Sequence, residues 1–237
     1  MKTRTIQKMP IVGALGTVIV TAFVSGAPHV HAATTPTCMG RTATIVSGAH
    51  VIRGTAGDDV IMVTGGGRHI VLAGAGNDVV CGSIGADTIR GGLGDDLIRG
   101  AVGADRLFGD AGADHLWGGT GADLLIGGSG DDHLHGGVGN DSEYGSSGDD
   151  VIDGESGNDL LHGETGADLL NGNSGHDRLF GDEGEDTLTG GTGNDQLDGG
   201  EDRDSVTGGD GDDRFEDLDN GSDTGTDSET DDGDTES

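Results

Sequence analysis

Gly91-Gly92-Leu93-Gly94-Asp95-Asp96-Leu97-Ile98-Arg99 spells a nine-residue unit, Gly-Gly-x-Gly-x-Asp-x-aliphatic-x. Gly118-Gly119-Thr120-Gly121-Ala122-Asp123-Leu124-Leu125-Ile126 restates it three units later. The grammar holds its register sixteen times from Ala73 to Glu216. A period this regular marks a solenoid, because so short a unit cannot bury its apolar side chain alone and must stack on its neighbours. Upstream, Gly54 to Met62 is a good unit. Thr64 to Leu72 is a degraded one, set off by a one-residue insertion at Val63 and carrying His69 where Asp belongs.

Each unit divides into a glycine-rich turn of six residues, whose glycines supply positive φ, and a strand of three. Side chains alternate along a strand, so the eighth position faces one way and its neighbours the other. That position is aliphatic from Val80 and Ile89 to Leu197 and Val206, with Phe215 at the end, as a single buried column requires. Two units close one coil of eighteen residues, with a strand on each face and a turn on each edge. The expected fold is all-β: a parallel β-roll of stacked coils. Two units break the rule. Glu143 takes an aliphatic position, and a local shift that lets Tyr144 fill the interior is expected; Asp202 replaces the third glycine, and fraying is expected there.

Residues eighteen apart stack at the strand spacing of about 4.8 Å. Asp87, Asp105 and Asp123 therefore share one edge, and Asp78, Asp96 and Asp114 the other. Such columns of like charge need a hard cation that takes six or more oxygens, which fits Ca²⁺ better than the smaller, stricter Mg²⁺. Residues 73–216 hold 33 acids and six arginines, and sixteen units leave at most about fourteen gaps, so a full complement of Ca²⁺ nearly neutralises the array. Burying one Leu or Ile gives about 1.5–3 kcal/mol, whereas ordering nine residues costs roughly 1–2 kcal/mol each in backbone entropy. The ion-free coil is therefore expected to be unfolded, with metal binding supplying the folding energy.

On these units, residues 54–216 resemble the hemolysin-type calcium-binding (RTX) repeat family. The resemblance implies that the sixth-position aspartates ligate calcium: Asp59, Asp78, Asp87, Asp96, Asp105, Asp114, Asp123, Asp132, Asp141, Asp150, Asp159, Asp168, Asp177, Asp186, Asp195, Asp204 and Asp213. It implies that turn carbonyls complete the shell. The best-known members are large toxins, proteases and lipases exported by a C-terminal signal. This chain is more similar to the small, mostly repetitive calcium-binding proteins that actinobacteria export, so lytic activity does not follow from the resemblance.

The flanks fit export. Lys2, Arg4 and Lys8 precede an apolar run from Ile11 to Val24, and Val30-His31-Ala32 offers a cleavage site, so residues 1–32 read as a signal peptide. Residues 33–53 form a leader in which Thr42 to Val46 suits a capping strand, and the acidic segment 217–237 reads as a disordered tail. Cys38 and Cys81 are the only cysteines, and in an exported protein they read as a disulfide; two thiols without tight spacing make a weaker case for zinc. After cleavage nine arginines face 44 acids, which excludes nucleic acid and anionic membranes as partners.

Catalytic signatures are missing: there is no Gly-x-Ser-x-Gly elbow and no His-Glu-x-x-His, so the chain does not read as an enzyme. His115 and His133 should stack near His135, as solvated side chains more readily than as a Zn²⁺ or Ni²⁺ site. Phe108, Ile126, Tyr144, His162 and Phe180 fall in one row at ninth positions, with Leu124 and Leu160 beside them. This row either covers the sheet or docks a partner: another copy, a cell-wall polymer or a second secreted protein. The functional reading is a secreted calcium-binding protein with a structural or interaction role. Its alternatives are an adhesion or surface-layer module, a free calcium buffer, and a non-catalytic accessory to a lytic system.

Overall fold

The computed structural model describes residues 36–216 and two further short strands, Thr224–Thr226 and Thr235–Glu236. The expected signal peptide lies outside the described residues. A small antiparallel hairpin, β1 (Thr37–Cys38) and β2 (Arg41–Thr42), opens the fold. The capping strand expected over Thr42 to Val46 is divided there, and its second half becomes β3 (Ile45–Ser47). From β3 onward successive strands alternate between two parallel sheets of eleven strands each. These begin with β3, β5 (Val60–Val63) and β7 (Val79–Cys81) in one, and with β4 (Val51–Arg53), β6 (Ile70–Ala75) and β8 (Thr88–Leu93) in the other. The described residues include no helix long and apolar enough to cross a membrane. The chain is a parallel β-roll.

The eighteen-residue coil is visible in the register: Leu107 pairs with Leu125, and Leu116 with Leu134. Near the N-terminus Val51 pairs with Ile70 and Val60 with Val79, one residue more than the period. The extra residue therefore lies between Val60 and Ile70, and Val63 sits buried at the end of β5. In the regular array each strand spans six residues, such as Thr88–Leu93 and Leu97–Val102, and not the three expected. The first three positions of the next unit continue the ladder, as the pairs Asp110↔Gly128 and Ala111↔Ser129 show.

Inside, the eighth-position side chains form one column, from Ile89 and Ile98 to Leu197 and Val206, with no exposed surface. Each contributes about 1.5–3 kcal/mol. The expected shift at Glu143 does not occur. Glu143 keeps register with Leu125 and Leu161, its side chain is fully buried, and neither carboxylate oxygen has a partner. Tyr144 stays in the outer row. The strand Ser142–Ser147 pairs in parallel with a neighbour on each side, so shifting it would break the ladder hydrogen bonds to both. Asp202 does not fray the array either. It holds φ 82°, the left-handed conformation that the missing glycine would take, and Asp tolerates it better than most residues.

Cys38 and Cys81 are bonded across 43 residues, tying the hairpin to β7. Closing such a loop stabilises by roughly 4 kcal/mol in the chain-entropy view. At the other end, Thr224–Thr226 pairs with Ser205 to Thr207, and Thr235–Glu236 with Arg214 and Phe215. These two short strands lie within the segment expected to be a disordered tail, and the rest of that segment lies outside the described residues.

Candidate metal centre

The turns bring the sixth-position residues into two columns. Along one edge the backbone N–H of Asp59 donates to Oδ1 of Asp78 at 2.7 Å, Asp78 to Asp96 at 2.8 Å, and so on coil by coil to Asp204. Along the other, the N–H of His69 donates to Asp87 at 2.8 Å, Asp87 to Asp105 at 2.7 Å, and onward to Asp213. One oxygen of each carboxylate from Asp78 onward is thereby spent on fixing the turn of the preceding coil. All seventeen side chains are buried.

The second oxygen is the informative one. Oδ2 of Asp78 is buried with no hydrogen-bond partner, and so is Oδ2 of every sixth-position aspartate from Asp96 to Asp195. A buried oxygen of this kind carries its full desolvation cost. The glycines show where it points. A Cβ placed on Gly118 would lie 2.6 Å from Oδ2 of Asp123 and 2.6 Å from the carbonyl oxygen of Gly136, one coil further on. At Gly136 the equivalent contacts are Oδ2 of Asp141 at 2.7 Å and the Gly154 carbonyl at 3.0 Å. The first glycine is therefore required for space, since its φ is not in the left-handed region. The second and fourth positions, as at Gly92 (φ 120°) and Gly94 (φ 110°), are the ones that need positive φ.

Burial pushes the carboxyls of Asp96, Asp105, Asp132, Asp150, Asp159 and Asp186 up to about 7, and those of Asp78, Asp114, Asp141, Asp168 and Asp195 to about 6. The hydrogen bond from the preceding coil lowers them, but by less than burial raises them; neighbouring aspartates add to the rise at most of these positions. Protein groups alone thus leave these columns poorly compensated. No three His, Cys, Asp or Glu side chains converge on one point among the described residues. An ion held here would take carboxylate oxygens from the column and fill its shell with turn carbonyls, a donor set of hard oxygens that suits Ca²⁺.

The sequence pattern of the RTX calcium-binding nonapeptide repeat matches residues 47–80, 72–107, 82–116, 108–143, 144–179 and 180–215. The chain belongs to the RTX calcium-binding repeat family. No curated protein matches it. Calcium is the ion that RTX repeats bind, and the unpartnered Oδ2 atoms beside turn carbonyls fit it.

Two members of the RTX columns differ from the rest. Asp59 takes hydrogen bonds on Oδ2 from the Thr55 N–H at 2.7 Å and hydroxyl at 3.0 Å, and on Oδ1 from the Thr44 hydroxyl at 3.3 Å. Asp87 takes them on Oδ2 from the Ser83 N–H at 3.0 Å and hydroxyl at 3.2 Å, while His69 Nδ1 lies 2.9 Å from Oδ1. Sequence reasoning placed both with the other ligands. The available signal was the pair of hydroxyl residues at second positions together with His69.

The outer row of the RTX roll is continuous in register through Phe108, Ile126, Tyr144, His162 and Phe180. Its rings stack, Tyr144 on His162 at 5.2 Å and His162 on Phe180 at 4.5 Å, and Arg90 and Arg178 cover Phe108 and Phe180. Leu124, Leu160 and the row itself are half-buried, so the expected exposed stripe is largely self-covering. The most exposed apolar side chains lie instead at third positions of the units: Leu93, Val102 and Val138 at strand ends, and Ile84 in an isolated bridge. His115 and His133 stack face to face at 4.5 Å with Trp117 and His135 alongside, an aromatic cluster.

Proposed function

We propose that this protein is exported, folds when calcium enters both aspartate columns, and serves as a structural element without catalytic activity. The observation that carries the reading is the run of buried Oδ2 atoms with no protein partner. Asp78 and the aspartates from Asp96 onward would hold the ions together with carbonyls of the adjoining glycines, up to about thirteen in all, one fewer than with Asp87 counted. Bound calcium supplies positive charge in a dry turn, and the residues do the rest: Oδ1 fixes the coil spacing, the first glycine leaves room, and the aliphatic column excludes water. The disulfide between Cys38 and Cys81 supports an oxidising compartment outside the cell.

The test is circular dichroism across a calcium titration from excess chelator, with calorimetry for the number of ions. Strand signal should rise with calcium and saturate near the expected stoichiometry. Equal strand signal in chelator would defeat the reading. A second reading, docking of a wall polymer or another copy on the outer row, is favoured by the unbroken register of Phe108 through Phe180.

A further inference from the structure

Both carboxylate columns start on a plug made of protein. In the first, Thr55 and Thr44 satisfy Asp59; in the second, Ser83 and His69 satisfy Asp87. A hydroxyl at the second position is not sufficient for this. Ser146 occupies the equivalent place with φ 85° and leaves Oδ2 of Asp150 without a partner. Thr55 and Ser83 stay out of the left-handed region, and their N–H groups turn onto the carboxylate. The two leading turns thus have a different backbone from the repeats that follow.

The same segment is denser in apolar packing. Seven buried apolar residues lie between Ile52 and Val80, against four between Ile89 and Leu116. The Cys38–Cys81 bond crosslinks it, and Cys38 is itself buried. One uncompensated carboxylate, Oδ2 of Asp78, stands against these gains.

We propose that residues 45–90 form a calcium-independent template in which Thr55, His69 and Ser83 stand where an ion would otherwise sit, and from which calcium-driven folding proceeds toward the C-terminus. Asp59 and Asp87 then contribute no oxygen to a calcium ion. Nucleating a solenoid is the costly step, since the first coil must order before it gains a neighbour to pair with. A preformed coil with open parallel edges removes that step.

The inference rests on the calcium reading, and hydrogen exchange on the full mature chain with its disulfide intact separates the two. In EDTA, peptides within 45–90 should exchange at least tenfold more slowly than in the urea-unfolded chain, while those from 97–216 exchange as unfolded. Calcium should then protect the latter. Residues 45–90 exchanging at the unfolded rate in EDTA would overturn the template; residues 97–216 unprotected in saturating calcium would overturn the calcium reading instead. In the triple variant Thr55→Ala, His69→Ala and Ser83→Ala, protection of 45–90 in EDTA should vanish and the calcium midpoint should rise several-fold; unchanged EDTA protection counts against the plugs. Calorimetry should find the wild-type number of ions in Asp59→Asn and in Asp87→Asn but fewer in Asp123→Asn. An ion lost from either of the first two would contradict the assignment.

Discussion

Glu143 and Leu161 are register partners on neighbouring parallel strands, so a carboxyl occupies the place where every neighbouring rung has an aliphatic side chain. Burial, followed by Asp141, Asp159, Asp153 and Glu155, holds this carboxyl well above its usual range. Leucine there would remove two unpartnered oxygens and restore the column. Glu143→Leu should stabilise the roll by about 2–4 kcal/mol, from the relieved polar burial and the added apolar contact. A calcium titration followed by circular dichroism should show a lower midpoint; a higher one would mean that Glu143 serves a purpose in the interior.

Replacing a mid-column aspartate should separate its two roles. Asp132→Asn keeps an oxygen for the Asp114 N–H but loses the charge, whereas Asp132→Ala loses both. The first should cost calcium sites with modest loss of fold, and the second should also loosen the turn by about 1–3 kcal/mol. Calorimetric stoichiometry beside thermal melting distinguishes them, and equal damage from both would refute the division.

Acid should partly replace calcium. Asp96 and its neighbours have folded-state values of about 6 to 7, above the ordinary 3.8 of an exposed Asp. A raised value stabilises the fold fully below the unfolded value and is lost as pH rises through the folded one. Calcium-free protein should therefore gain strand near pH 4 and lose it by pH 7. Calcium affinity should run the other way, falling as pH drops through 7 to 6, because protons compete for the same oxygens. Circular dichroism of metal-free protein against pH reads the first, and calorimetry at pH 5.5 and 7.5 the second.

Gly118→Ala tests the space requirement without involving backbone strain, because Gly118 is not left-handed. Its new methyl would meet Asp123 Oδ2 and the Gly136 carbonyl, both at 2.6 Å. The calcium needed for folding should rise at least tenfold. A midpoint unchanged in this variant would show that nothing is held between those two oxygens.

Serine at Phe108, Tyr144 and Phe180 together should abolish self-association or wall binding and leave calcium-induced strand content intact. Light scattering and a wall-fraction pull-down measure this, with circular dichroism as the control. Association unaffected by the triple change would retire the docking reading.

The coil, its period and the paired columns were legible because one Asp and one aliphatic residue recur at fixed places, and that recurrence has few physical solutions. The plugs at Asp59 and Asp87 were not, because they depend on the backbone angle at Thr55 and Ser83, and Ser146 shows that residue type does not determine it. Glu143 was misjudged for a related reason. Its own chemistry argues against burial, but the ladders on either side outweigh one side chain. The outer row was placed correctly along the chain, yet its exposure depended on ring stacking between rungs, such as His162 on Phe180, which composition does not reveal.

Alternation of the strands between two sheets limits how such a chain can change length. Deleting one nonapeptide would move everything after it to the opposite sheet, so that the Phe108 series would run on into the Arg99 and Trp117 series, and each aspartate would cross to the other edge. Removing or duplicating two consecutive nonapeptides leaves both patterns intact. The even number is the smallest heritable step that this architecture tolerates without scrambling its surface.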